Sequence, residues 1–169
     1  MIINVGETFP SFEIDVVNKD KEITKETIEP DGQWKVVYFY PKDFTFICPT
    51  EICEFDKLTS KVRVVGISGD NEFCKLAWRN ENDLIGDINH SLGADTGLNV
   101  SRQVGVVNPE ATVCLRATYI LDGANKVKHV SVNELDTGRN CVEIERTLDA
   151  LLAGGLTGCG WQTGDEFVG

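Results

Sequence analysis

The sequence predicts an α/β domain, a central mixed sheet flanked by helices, and three observations carry that prediction. Two short runs, residues 35–40 and 62–68, are mostly apolar and β-prone, as strands buried on both faces are. Each is followed by a stretch with helical spacing. A strand pair at 117–121 and 126–132, joined by Asp122-Gly123-Ala124-Asn125, then precedes a last amphipathic segment.

Taken in order, residues 11–16 (Ser-Phe-Glu-Ile-Asp-Val) alternate apolar with polar and read as a half-buried strand. The run 35–40 ends at the turn signal Pro41-Lys42-Asp43. From Pro49 onward the pattern turns helical. Glu51, Glu54 and Asp56 give the first turns the negative charge a helix N-terminus favours, and Ile52, Phe55, Leu58 and Thr59 recur at core-facing spacing. A further helix is expected near 72–80, and the segment 140–153 reads as a helix stopped by Gly154-Gly155. No repeat or low-complexity tract interrupts the chain. We expect one domain over 1–153, whose element order would fit a thioredoxin-like arrangement that periodicity alone does not establish, with a mobile, glycine-rich tail at 154–169 belonging to it.

Bulk properties narrow the function. A formal charge of −11 argues against nucleic acid and anionic membranes as partners, since both repel an acidic surface. The start shows no basic segment followed by an apolar one, and no apolar run approaches bilayer-spanning length. A cytoplasmic location is therefore expected, where thiols are kept reduced. The six cysteines, Cys48, Cys53, Cys74, Cys114, Cys141 and Cys159, form no C-x-x-C pair, which disfavours a zinc ribbon or a disulfide scaffold. His90 and His129 have no second ligand at metal spacing.

Cys48 stands apart from the other five. It directly precedes Pro49, where strand gives way to helix, so it is expected at or just outside the N-cap. There the first backbone N–H groups and the helix dipole favour thiolate, the nucleophilic form. The helix end contributes only about 0.3–1 kcal/mol, so a reactive thiolate needs a nearby cation as well. Taken alone, Cys48 is equally readable as one more buried thiol in Phe46-Ile47-Cys48.

The segment Tyr40-Pro41-Lys42-Asp43-Phe44-Thr45-Phe46-Ile47-Cys48-Pro49-Thr50-Glu51 holds the pattern P-x-x-x-T-x-x-C. It closely resembles the active-site loop of peroxiredoxins, above all bacterial alkyl hydroperoxide reductase peroxidase subunits and related typical two-cysteine enzymes. Residues 5–12, the stretch 65–68 with Leu76-Ala77-Trp78, residues 115–122 and Gly138-Arg139-Asn140 resemble further family segments in the same order. The resemblance spans about residues 5–166.

It implies a thiol-dependent peroxidase on a thioredoxin-like fold, without metal, haem or flavin, acting on hydrogen peroxide, alkyl hydroperoxides or peroxynitrite. Cys48 would be the attacking thiolate and become a sulfenic acid. Thr45 would place its hydroxyl beside thiolate and peroxide, Arg116 would supply the missing cation, and Pro41 would shield the pocket. Glu51 and Arg139 would orient Arg116. Cys159 would resolve the sulfenic acid as a disulfide, although the family's usual resolving position, four residues before the tryptophan, holds Thr157 here and Cys159 lies two before Trp161; the alternative is resolution by an external thiol. Relatives often carry histidine where this chain has Lys75; neither it nor Cys74 is given a catalytic role. A thioredoxin-like or dedicated disulfide reductase would regenerate the enzyme, a homodimer assembled into a decamer or dodecamer ring. A general thiol–disulfide oxidoreductase and a stoichiometric redox sensor are the alternatives; the lack of C-x-x-C opposes the first.

Overall fold

The computed structural model describes residues 1–169 and divides into two compact units, Met1–Arg139 and Asn140–Gly169. The first unit is built on a seven-stranded sheet in the order β2-β1-β5-β4-β3-β8-β9. Its strands are β1 (Phe12–Val17), β2 (Ile23–Ile28), β3 (Lys35–Phe39), β4 (Arg63–Ser68), β5 (Ser91–Ala94), β8 (Arg116–Leu121) and β9 (Val127–Asn133); β6 (Val107–Asn108) and β7 (Val113–Cys114) form a separate ribbon. β3, β4 and β5 run parallel, and the outer pairings are antiparallel, so the sheet is mixed as expected. Helices α1 (Cys48–Phe55), α2 (Glu72–Glu81) and α3 (Asn99–Val104) connect the strands.

The predicted central strands have the burial their composition demands. Every residue of β3 is buried, including Lys35, whose ammonium is satisfied by Asp31 at 2.8 Å and the Asn125 side chain at 3.1 Å. A buried ammonium without such partners would be severely destabilising. Phe9, Val16, Val37, Phe39, Val65, Ile67, Tyr119 and Leu121 belong to one core cluster.

One glycine shapes what lies above the sheet. Gly66 is the register partner of Tyr38, and a Cβ there would meet the Tyr38 ring at 2.4 Å. The ring stacks flat on Phe55 at 3.9 Å, and its hydroxyl meets His90 Nε2 at 2.7 Å. His90 Nδ1 is bound in turn by Asp56 Oδ1 at 2.7 Å, so this histidine is packed and satisfied. Gly66→Ala is expected to lower stability by about 1–3 kcal/mol, because the ring has no free volume to enter. Chemical denaturation measures the loss.

In the second unit, Asn140 caps α4 (Cys141–Ala153) by accepting from the Val142 and Glu143 amides, and Gly154 ends it at φ +76. Beyond it the chain has no regular element. It is tied within the unit by Arg146 donating to the Trp161 carbonyl at 2.9 Å, by Trp161 Nε1 donating to the Asp165 carbonyl, and by the Trp161–Phe167 stack.

Candidate active site

Cys48 is the first residue inside α1, with Ile47 as N-cap and Pro49 in the first turn. This differs from the expected cap position, and the difference has a chemical consequence. The Thr50 and Glu51 amides both donate to the Ile47 carbonyl, and Pro49 has no N–H. The helix end therefore spends its first-turn donors on its own cap residue rather than on sulfur. Cys48 is fully buried.

The cation is provided from the far side of the sequence. Arg116, the first residue of β8, reaches over so that Nη1 lies 3.4 Å from Cys48 Sγ. The same nitrogen donates to Glu51 Oε1 at 2.6 Å, and Nε donates to the Leu135 carbonyl at 2.8 Å. The fork is thus held at both ends. Glu51 lies three residues after Cys48, one helical turn along, which brings its carboxylate to the same face.

Arg139 completes the arrangement. Its Nε donates to Glu51 Oε2 at 2.7 Å, its Nη2 to Oε1 at 3.0 Å and its backbone N–H to Oε2 at 3.0 Å. Its guanidinium lies over the Tyr38 and Phe55 rings, 5.3 and 4.9 Å from their centroids. Burial pushes the Glu51 carboxyl up, but the hydrogen bonds and charge of Arg139, joined by the charge of Arg116, outweigh it and hold the group below the ordinary carboxylate range. Burial works against the Arg116 cation too, yet the Cys48 sulfur and the Glu51 charge raise it above its usual value. Two guanidiniums around one carboxylate leave a net positive site facing the sulfur, and such a field stabilises negative charge that develops on an oxygen bound there.

The remaining sequence candidates lie as follows. Thr45 is half-buried in the loop, and its hydroxyl donates to the Lys42 carbonyl at 2.8 Å, which leaves the oxygen able to accept. Pro41 lines a cavity of about 280 Å³ with Gly69, Asp70 and Leu98; Cys48 is not in its wall. In the second unit, Cys159 is exposed and lines an open cavity of about 580 Å³ with Arg146 and Thr147. No cysteine is in a disulfide. Burial pushes the Cys74 and Cys114 thiols up to about 11, with nearby aspartate charge adding to the effect at Cys74, so both are protonated at neutral pH.

Sequence reasoning missed the aromatic floor under Arg139. Tyr38 and Phe55 are both ordinary core residues by composition, and only the close packing of β3 against α1 makes them a platform. It also missed the ion pair of Asp43 in the loop with Lys75 in α2, for which the only signal was a lysine where relatives often have histidine.

Comparison with known proteins identifies the family. The sequence profile described as the AhpC/TSA family matches residues 5–130, a span that holds Pro41, Thr45, Cys48, Glu51 and Arg116 and stops short of Arg139 and Cys159. Alkyl hydroperoxide reductase C of Mycolicibacterium smegmatis is 34% identical, over 99% of this chain and 94% of that protein. The putative peroxiredoxin YkuU of Bacillus subtilis is 38% identical, over 97% of each. Among solved structures, the reduced 2-Cys peroxiredoxin of Plasmodium vivax superposes with a TM-score of 0.89 at 32% identity, covering 96% of this chain and 91% of that one. Mycobacterium tuberculosis AhpC gives 0.86 at 31% identity, covering 96% and 100%. A buried thiol under a braced arginine, on this mixed sheet and in this sequence company, places the chain in the AhpC/TSA family of peroxiredoxins, the thiol-dependent peroxidases of antioxidant defence.

Proposed function

We propose that Cys48 is the thiol that reacts with peroxide, and that Arg116 is the residue that makes it reactive. The observation that carries this reading is the 3.4 Å approach of Arg116 Nη1 to Cys48 Sγ, by a guanidinium that Glu51 and the Leu135 carbonyl hold still. The Cys48 thiolate attacks one oxygen of hydrogen peroxide or an alkyl hydroperoxide. The S–O bond forms as the O–O bond breaks, sulfur is oxidised to a sulfenic acid, and the departing oxygen leaves as water or an alcohol after taking a proton. Arg116 steadies the charge on that oxygen, and Thr45 and Pro41 shape the approach.

The sulfenic acid then condenses with the Cys159 thiol, releasing water and forming a disulfide, which a thioredoxin-like or dedicated dithiol reductant reopens. The complete burial of Cys48 supports a required local opening, since a disulfide needs its two Cα atoms within roughly 7 Å. The exposure of Cys159 beside Arg146 supports its availability to a partner thiol. Cys159→Ser is expected to complete the first oxidation at wild-type speed, to stall before the disulfide and to accumulate sulfinic acid. Mass spectrometry of peroxide-treated protein reads all three. A link from Cys48 to any other cysteine overturns the role of the tail.

The terminal position of β9 in the sheet and the exposed Phe44 and Phe46 support association into homodimers and then a decamer or dodecamer ring. Sedimentation of the reduced protein tests the size. A cytoplasmic site of action fits the need for a dithiol reductant. Peroxide consumption with thioredoxin against other reductants, followed by disulfide mapping, tests the cycle as a whole.

A further inference from the structure

Beneath the loop that leads into Cys48 lies a buried ion pair that shares no residue with the arginine–glutamate network. Lys75 of α2 and Asp43 of the loop have side chains 0% exposed, and Lys75 Nζ lies 3.3 Å from each Asp43 oxygen. The same ammonium meets Ser68 Oγ at 2.5 Å and Tyr40 Oη at 3.1 Å, while Tyr40 donates to Asp43 Oδ1 at 2.7 Å. The Asp43 backbone N–H donates to Asp70 Oδ2 at 2.7 Å. Within residues 41–47, every hydrogen bond to another element is made by Asp43; the Thr45 hydroxyl and the Ile47 carbonyl bond locally.

The next residue shows what this anchor works against. Phe44 has φ +56, a left-handed conformation unfavourable for a bulky side chain. Its ring is half exposed and packs only at 6.0 Å centroid distance against Trp78, on the same helix as Lys75. A strained residue so close to the surface persists only if its neighbours over-determine the backbone.

We propose that Lys75 is a positioning residue for peroxide reduction: its buried pair with Asp43 holds the 41–47 loop, and with it the first turn of α1, in the conformation that presents Cys48 to peroxide. The pair thereby sets how readily the loop opens for disulfide formation. Burial pushes the Asp43 carboxyl up, and the charge of Lys75 with the Tyr40 hydrogen bond opposes this, so removing Lys75 strips the carboxylate of its main counter-charge. A single missing partner leaves a buried ion unpaired, and the loop is the part of the structure free to relieve that by moving.

This inference rests on Cys48 as the reacting thiol, and the test separates the two. Lys75→Met and Asp43→Asn, each in the full chain, are treated with excess peroxide, and the products at Cys48 are followed by rapid-quench mass spectrometry. Each variant is expected to slow the first oxidation of Cys48 about tenfold and to cut the ratio of sulfinic acid to disulfide by a similar factor. The double variant should lose no more than either single one, because the pair acts as a unit and the double variant buries no unpaired ion. A merely structural role lowers the amount of active protein without changing that ratio, which compares two fates of one oxidised molecule. An unchanged ratio, or additive losses in the double variant, overturns the clamp. Should Lys75→Met fail to fold, the charge-neutral double variant carries the measurement, as it buries no unpaired ion. Hydrogen exchange on the unaltered protein gives a further arm: the Asp43 amide and the Thr50 and Glu51 amides should exchange through one shared opening, and independent openings contradict the proposal. If Cys48 in the unaltered protein gains no oxygen at all, it is the assignment of Cys48 that fails.

Discussion

Replacing Cys48 by serine is expected to reduce peroxide turnover to background, a loss of roughly 10³-fold or more, as removal of an enzyme's nucleophile does. Serine keeps the size and a hydrogen-bonding atom, so the burial at the start of α1 and the Arg116–Glu51–Arg139 network should survive. Two of the other cysteines are unsuited to replace it by their surroundings. Cys74 and Cys114 are held protonated at neutral pH, whereas Cys48 Sγ receives the Arg116 guanidinium at 3.4 Å. Steady-state peroxide consumption at matched folded concentration is the measurement, and substantial activity in Cys48→Ser would show that another thiol does the work.

Arg116→Ala should slow the first oxidation by roughly 10²–10³-fold, the usual consequence of removing a preorganised donor from developing negative charge. Arg116→Lys should recover part of this, since it restores charge but not the fixed fork that contacts sulfur, Glu51 and the Leu135 carbonyl together. The fold should persist, because Arg139 still donates three hydrogen bonds to Glu51. Acid sensitivity gives an independent reading with a definite sign. Glu51 has its folded-state pKa depressed, so it contributes stability that is present above the unfolded carboxylate value and lost as pH falls through the folded one. Without Arg116 the folded value moves up, and the acid-unfolding midpoint should shift to higher pH. An equal rate and an equal midpoint in the alanine variant would remove Arg116 from the site.

What the residues disclosed, and what they hid, follows from where the information lies. A run such as 35–40 declares a strand buried on both faces, and β3 is one. β2 was not anticipated, because Ile-Thr-Lys-Glu-Thr-Ile is an edge strand with half of its residues exposed and no clean alternation. β5 escaped because four residues, Ser-Leu-Gly-Ala, have too little length to show a period. α3 follows Leu98 in the left-handed region and is only six residues long. At the site, the loop segment pointed to Cys48, Thr45 and Pro41, and resemblance further along the chain pointed to Arg116 and Arg139. The position of Cys48 within the first turn, and the spending of the helix amides on Ile47, depended on local backbone geometry that composition does not encode. The Tyr38–Phe55 floor and the Asp43–Lys75 pair join residues 17 and 32 positions apart, contacts that exist only once the sheet has assembled.

The most direct test of the central claim is to treat the reduced protein with a stoichiometric amount of peroxide in the presence of a sulfenic-acid-trapping reagent and to map the adduct by peptide mass spectrometry. The account predicts the adduct on Cys48 and its loss from the Arg116→Ala variant at the same reaction time. An adduct first appearing on Cys53, Cys74, Cys114, Cys141 or Cys159, with Cys48 unmodified, would contradict it.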